Sequence, residues 1–486
     1  MRLSELLREV EFEGSIKNDF DIKFVTDDSR LVRPGALFVC IRHRSFDGHT
    51  AAAEALASGA AAVVTQERLG LENELNVADS RAAYARLCAA LCGHPERKLR
   101  MIGVTGTNGK TTVTTLIRNI LSDSGIKTLL TGTVCNRLGE ESLPSGLTTP
   151  KPPELYSLLA RAVLSGCEAC VAEASSQALA QGRLEGIAFD AAVFTNITRD
   201  HLDYHGTFEN YLAAKKKLFE HSEVSAVNLD DPRADEIIAA SSGKTVTFST
   251  VLDCADYTAK NISLLPEGVS FELVSKGRIE HIKFASPGLF SVSNAMAAAV
   301  CAINLGVDPR SAAQSLARSK GVCGRLERVE CGTPYSVIID YAHTPDGLEQ
   351  VLRALRPSCR GKLIVLFGCG GDRDKTKRPL MGAAACKYAD TVIVTSDNPR
   401  SEEPMRIIGD ILKGTDKKRR GLFIEEDRRR ATALALSLAK PGDTVLLAGK
   451  GHEKYQLICG EKLPLDERET VREILGLPHD TGRKKP

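Results

Sequence analysis

The segment 104–112 reads Val-Thr-Gly-Thr-Asn-Gly-Lys-Thr-Thr and follows the apolar pair Met101-Ile102. It constrains the fold more than any other stretch. A short strand runs into a glycine turn, and the turn opens into a helix headed by a lysine and two hydroxyls. Backbone N–H groups of such a loop and of the helix N-terminus face an anion. Lys110 supplies a point charge for the β and γ phosphates of a nucleotide, and Thr111 a hydroxyl for Mg²⁺. The spacing departs from the full Walker pattern at one place. The first glycine would stand at 104, where this chain has Val104, and Gly103 comes one residue early. A plain glycine turn before an ordinary helix would not bring strand, glycine, Gly-Lys-Thr and helix in that order.

From about residue 100 onward, short apolar strands alternate with helical patterns. The strands are expected at 102–105, 169–172, 191–195, 226–229, 337–340, 363–367, 391–395 and 444–448. Such alternation predicts α/β architecture, with parallel sheets covered by helices. The β-branched runs lack polar alternation and suit strands buried on both faces. At 486 residues the chain is too long for one core, and about three domains are expected. The pattern divides at 1–95, 96–325 and 326–486. The first block is a small α/β unit with helical sequence at 50–61. The second carries the phosphate loop, and the third restarts with a dinucleotide-type strand series. No internal repeat is visible, and the polar tail 480–486 is expected to be mobile.

Charge excludes some partners. Lys+Arg 64 against Asp+Glu 62 leaves +2, so no global field draws the chain to nucleic acid or membrane. Tryptophan is absent and aromatics are 5%, which argues against a base-stacking surface. No apolar run reaches the roughly 20 residues of a membrane helix. The N-terminus is charged at once and lacks an apolar signal segment, so a cytoplasmic protein is expected. In a reducing compartment the 14 scattered cysteines read as small core hydrophobes. Cys167 and Cys170 form one CxxC at a strand, with no second pair at zinc spacing, and core packing is expected of them.

Polar clusters follow the strands. In open parallel sheets strand C-termini face the ligand crevice. Glu173 ends one strand and can hold Mg²⁺ there, or cap a helix or lie on the surface. The polar turn 175–183 follows it. The loop 196–206 holds Asp200, His201, Asp203 and His205, suited to metal or phosphate, or equally to a hydrogen-bonded loop. The segment 213–219, Ala-Ala-Lys-Lys-Lys-Leu-Phe, reads by composition as a helix with a solvated basic face. Further clusters stand at 340–346, 368–379, 397–400 and 449–453. Three glycines beside Arg and Lys at the end of strand 363–367 argue for an anionic ligand. Four polar clusters on one sheet edge make a site.

These blocks resemble the Mur ligases, ATP-dependent amide-forming enzymes of peptidoglycan precursor synthesis. The resemblance runs from the Asp28-Ser29-Arg30 region to Glu453. It rests on 105–112, 200–204, 340–346, 368–379 and 449–453, and is strongest to members that add the third residue to UDP-N-acetylmuramoyl-L-alanyl-D-glutamate. Those ligases also carry the Thr-Gly-Thr-Asn-Gly-Lys-Thr-Thr form, which accounts for Val104. The resemblance implies three domains: a central phosphate-loop parallel sheet, a Rossmann-like C-terminal domain and a small N-terminal α/β domain. A monomer acting on small-molecule substrates is expected.

The resemblance also implies residue roles. Gly106, Thr107, Asn108, Gly109, Lys110, Thr111 and Thr112 would bind ATP phosphates, and Asn294 would face adenine. Arg325, Asp340 and His343 would close on the nucleotide. Ser29 would contact the uridine end of the UDP-sugar, and Thr148, Thr149, Ser175, Gln181 and Arg183 its acyl-peptide arm. Thr111, Glu173 and His201 would line two Mg²⁺ sites. Lys215 would be carbamylated by CO₂ to N6-carboxylysine, an anion able to hold the second Mg²⁺, which reverses its reading from composition. Lys216 and Lys217 keep theirs. The box Asp397-Asn398-Pro399-Arg400 resembles that of enzymes adding meso-diaminopimelate. Arg400 can fork onto the far carboxylate of that diamino acid. Asn398, Arg373, Gly449 and Glu453 would complete the cage, with Glu453 accepting an ammonium.

Three departures stand out: Gln177 where the family often has His, Cys323 where it often has Pro before Gly-Arg, and the loop 42–46. The reaction implied is transfer of the γ-phosphoryl group of ATP to a carboxylate, then attack of an amine on the acyl phosphate. Lys110, Lys215, His201 and Glu173 are its expected catalytic residues. Alternatives are the same chemistry with L-lysine or another amino acid, a folylpolyglutamate synthetase-like ligase, and a non-catalytic ATP-driven switch or scaffold.

Overall fold

A computed structural model describes residues 1–15, 17–43, 46–265, 267–416 and 419–478. The tail 480–486 and positions 44–45 of the 42–46 loop lie outside them. Three sheets carry the chain. The first has five strands in the order Glu13–Gly14, Glu74–Asn76, Ala62–Thr65, Ala36–Val39, Phe24–Thr26. All its pairs are parallel except the first.

The central sheet has eleven strands. Its middle runs Ser222–Asn228, Phe189–Phe194, Arg100–Thr105, Ala169–Glu173, Thr128–Thr131, all parallel. These strands are apolar on both faces because helices cover both. The register sets Glu173 beside Val104 and Phe194 beside Thr105, so three strands end level at one edge. That edge carries the phosphate loop. Val104 is a buried strand residue in the sheet interior, which is why the loop starts two residues later than the full Walker pattern would place it.

The sheet's flank departs from the parallel expectation. Tyr257–Leu265, Gly268–Ser275 and Arg278–Phe284 form an antiparallel meander. Val269, Phe271 and Leu273 point inward at every second position while Ser270 and Glu272 do not. That period-two alternation is the signature of a half-covered strand.

The third sheet runs Glu327–Val329, Ser336–Asp340, Thr444–Ala448, Leu363–Phe367, Thr391–Val394, Leu422–Ile424, parallel except at the first pair. Leu363, Val365 and Phe367 pack into one apolar cluster, Ile364 and Leu366 into another across the sheet. A hairpin, Tyr455–Ile458 with Glu461–Pro464, follows it. One apolar cluster runs unbroken from Leu3 and Leu37 of the first unit to Cys170 and Phe194 of the second. Cys167 and Cys170 are buried free thiols in it, as core packing requires. Among the described residues no helix is long and apolar enough to cross a membrane.

Candidate active site

The phosphate loop is held open by what surrounds it. Gly109 has φ 89°, and a Cβ there would come within 2.5 Å of Asn294 Oδ1. Only glycine meets both conditions. Asn294 is itself buried on the helix Leu289–Asn304. The Thr107 hydroxyl meets Tyr211 Oη at 2.9 Å, and Asn108 donates its N–H to Asn196 Oδ1. Lys110 begins the helix Lys110–Asp123 and points its ammonium back at the Gly106 and Thr107 carbonyls, 2.8 and 2.9 Å away.

Glu173 is buried, which excludes the surface reading. Its carboxylate accepts from the hydroxyls of Thr111 (3.1 Å) and Thr133 (2.9 Å) and from the Thr133 N–H (2.8 Å). Directly beyond it lies a network of the residues expected on the acyl-peptide arm. Thr149 Oγ1 donates to the Glu173 carbonyl at 2.6 Å, and the Ser175 N–H donates to Thr149 Oγ1. Arg183 donates to the Thr149 carbonyl and, through two nitrogens, to Gln181 Oε1. Thr148 Oγ1 lies 3.0 Å from the Thr133 hydroxyl oxygen, its own proton free to go to it.

Lys215 corrects the reading from composition. It lies on the helix Phe208–Lys216, but its side chain is 1% exposed. The helix turns this one lysine inward onto the Gly106 carbonyl (2.8 Å) and over the Tyr211 ring (4.6 Å). Lys216 stays half-buried and Lys217 exposed. Burial, with Lys110 nearby, drives the Lys215 pKa well below the ordinary lysine value. His201 sits in a left-handed turn, φ 53°, beside Asp200 (3.5 Å). Partial desolvation of its ring lowers its pKa against the pull of Asp200.

The third unit reaches across. Arg325 donates to Thr111 Oγ1 at 3.1 Å and lies over the Tyr341 ring. Asp346 Oδ2 accepts from Asn108 Nδ2 (3.1 Å) and Thr198 Oγ1 (3.2 Å). The buried Asp340 carboxylate accepts the N–H groups of Leu326 and Ala342. Desolvation raises its pKa, offset in part by Arg325. His343 Nδ1 donates to the Tyr341 carbonyl at 2.8 Å. Gly324, φ 69°, packs so tightly that a Cβ would meet the His452 nitrogen at 2.3 Å. The adjacent Cys323 takes the family's proline position and contacts Arg468.

The residues expected to form the acceptor clamp stand at three strand ends. Arg400 stands in the left-handed region, φ 53°. Its N–H donates to the Leu457 carbonyl, its carbonyl accepts from Cys459, and its guanidinium donates to the Gly371 carbonyl at 2.7 Å. Asn398 Nδ2 donates to Glu453 Oε2 at 2.9 Å.

Two adjoining cavities join these groups. One, of about 320 Å³, is lined by Thr107 to Thr112, Thr148, Thr149, Glu173, Ser175, Arg183, His201, Lys215, Asn294, Arg325, Asp340 and His343. The other, of about 660 Å³, is lined by Arg373, Asp397, Asn398, Arg400, Gly449 and Glu453. Both share Thr148, Gln177, Asp200, His201, Tyr341, His343 and Thr344 as walls. Gly106, Gln181 and Pro399 touch neither: the Gly106 carbonyl accepts from Lys110, Gln181 Oε1 accepts from Arg183, and the Pro399 carbonyl accepts from the Glu402 N–H. Ser29 lies on the first unit in the short turn Ser29–Leu31 and lines neither cavity.

Sequence reasoning missed several walls. Thr133 and Tyr211 are ordinary residue types whose partners lie far along the chain, while Tyr341 and Asp346 stand inside the noted cluster 340–346 but were given no role of their own. Lys450 stands inside a noted cluster, yet nothing in its spacing says that it is fully buried. The glycine at 132, after the strand Thr128–Thr131, is the one signal that marked Thr133.

Comparison with known proteins follows the same division. The profile described as "Mur ligase middle domain" matches residues 104–302, and "Mur ligase, glutamate ligase domain" matches 324–451. "Mur ligase family, catalytic domain" matches 21–89. The chain belongs to the Mur ligase family. Among Mur ligases it is 43% identical to the UDP-N-acetylmuramoyl-L-alanyl-D-glutamate–2,6-diaminopimelate ligase of Syntrophomonas wolfei, over 98% of this chain and 99% of that one. The same identity and coverage relate it to the ligase of that name from Caldanaerobacter subterraneus. A solved structure of a ligase of that name superposes with TM-score 0.71 at 35% identity, covering 98% of this chain and 99% of that one.

Proposed function

We propose that this Mur ligase adds meso-diaminopimelate to the D-glutamate of UDP-N-acetylmuramoyl-L-alanyl-D-glutamate, consuming ATP, in peptidoglycan precursor synthesis. The observation that carries the reading is the shared wall between the phosphate-loop cavity and the Arg400 clamp. The units 1–95, 96–325 and 326–486 each hold one reactant, in a cytoplasmic monomer.

The D-glutamate carboxylate attacks the γ-phosphorus of ATP, ADP leaves, and an acyl phosphate forms. The amine of diaminopimelate attacks the acyl carbon, phosphate leaves with the bonding pair, the nitrogen releases a proton to solvent, and an amide remains. Lys110 stabilises charge on the phosphates. Thr149, Ser175 and Arg183 orient the acyl arm, and Ser29 holds the uridine end. Arg325, Asp340 and His343 close over the nucleotide, Asn294 lies by its adenine, and closure excludes water from the acyl phosphate.

The residues present fit Mg²⁺. Among the described residues no three His, Cys, Asp or Glu side chains gather as a metal cluster. Lys215 fills that gap: its buried amine is held toward the neutral form, the form that adds CO₂ to give a carbamate and a proton. Thr111, Glu173, His201 and carbamylated Lys215 would hold two ions, which would neutralise phosphate charge.

Mass spectrometry of a reaction with ATP, the UDP-dipeptide and meso-diaminopimelate tests the reading. The expected product is the UDP-tripeptide, equimolar with ADP. ATP hydrolysis with no tripeptide would overturn it.

A further inference from the structure

Lys450 is a buried cation that the mechanism above does not use. It follows the strand Thr444–Ala448, and its side chain is 0% exposed. Burying an ammonium costs several kcal/mol unless it is paired and hydrogen-bonded. Its partners are two members of the acceptor clamp: Asn398 Oδ1 at 2.7 Å and Glu453 Oε2 at 2.8 Å.

The consequences are geometric. Asn398 Oδ1 accepts from Lys450 and also from the Leu457 N–H at 2.9 Å. With its oxygen filled by two donors, the amide has one orientation, and Nδ2 must point at Glu453 Oε2. That oxygen is therefore held by Lys450 and Asn398 together, while Glu453 Oε1 receives the Tyr341 hydroxyl at 3.3 Å. Glu453 is fixed from three sides. Lys450 also sets the charge of the cage. It offsets Glu453, and its field helps hold the buried Asp397 carboxylate below its usual range against desolvation. Asp397 keeps its own distant partner, Arg428, at 3.9 Å.

We infer that Lys450 is a positioning and specificity residue of the acceptor site: it fixes Asn398 and Glu453 and leaves the cage with anionic charge for one ammonium beside the Arg400 guanidinium. The inference rests on the substrate reading above. A zwitterionic far end, one carboxylate and one ammonium, matches that balance. Without the lysine the same pocket carries an uncompensated carboxylate. It then favours an acceptor with an ammonium and no far carboxylate, such as L-lysine.

Lys450→Met and Lys450→Arg, checked for folding by circular dichroism, are assayed for phosphate release with meso-diaminopimelate and L-lysine. The Met variant is expected to raise the KM for diaminopimelate about tenfold or more, with the KM for ATP unchanged. Its preference for diaminopimelate over lysine is expected to fall by a similar factor, and Lys450→Arg to restore part of both. If the Met variant does not fold, Lys450→Gln carries the same test. An unchanged diaminopimelate KM and unchanged preference in a folded variant overturn the inference. So does a parallel rise in the ATP and UDP-dipeptide KM values, which marks a merely structural lysine. Failure of the substrate reading looks different, because wild-type enzyme itself then ignores diaminopimelate. The KM split is in that case read with the acceptor it does use, by the same criteria.

Discussion

Lys110 and Lys215 donate to the same atom: each Nζ lies 2.8 Å from the Gly106 carbonyl oxygen. Two ammonium groups cannot share one acceptor at low cost in a dry pocket. Desolvation lowers the pKa of both, and the Lys110 charge pushes that of Lys215 down further. Lys215, the more deeply buried, gives way. The glycine turn thus shifts the buried Lys215 amine toward its neutral form.

Protonating Lys215 in the folded chain opposes folding. That penalty is full below its folded pKa and vanishes as pH rises to the ordinary lysine value of 10.5. Lys215→Met should therefore melt higher than wild type at neutral pH in bicarbonate-free buffer, with the gap closing toward pH 10.5. Its ligase rate should fall by about 100-fold or more and ignore added bicarbonate. Differential scanning fluorimetry across pH and phosphate-release rates check the two halves.

Arg400 holds its guanidinium on a pinned backbone, and in the proposed acceptor site it would offer a far carboxylate a forked donor. Arg400→Lys keeps the charge and loses the fork. The expected outcome is a rise of about 10- to 100-fold in the diaminopimelate KM, with ATP binding unchanged. Steady-state kinetics with each substrate varied in turn make the comparison.

Asp346 ties the third unit to the phosphate loop through Asn108 and Thr198. Asp346→Ala leaves both donors without their acceptor, a loss of about 1–3 kcal/mol. The kcat/KM for ATP should drop by about tenfold, while the third unit's own melting stays near wild type. Kinetics and calorimetry read this out.

His452 is held down to about 4 by desolvation and by Arg325. Its neutral ring packs on Tyr341 at 5.0 Å. A depressed histidine contributes stability that is whole above its ordinary 6.5 and is lost as pH falls toward 4. The loss is at most about 3 kcal/mol. Melting curves of wild type and His452→Gln should converge over that window, with wild type losing more.

The phosphate loop, the strand series and the clusters at strand ends were legible because each depends on residues close in sequence. Glycine spacing and apolar runs report local geometry directly. Lys215 was not legible from composition, because three adjacent lysines on a helix look alike until a neighbouring element buries one. The meander 257–284 was missed although Val269, Phe271 and Leu273 carry its alternation. Thr133 escaped for another reason, and Asp346 and Lys450 stood inside named clusters without a role of their own: each acts through a partner from 40 to 238 residues away, which leaves no local pattern.

Phosphate release from ATP in the presence of the UDP-dipeptide and a panel of diamino acids tests the joined cavity and its clamp together. The expected result is release that requires the dipeptide and meso-diaminopimelate, with L-lysine poorer by about 100-fold or more. Release with lysine but not diaminopimelate, or at the same rate with no acceptor, would contradict it.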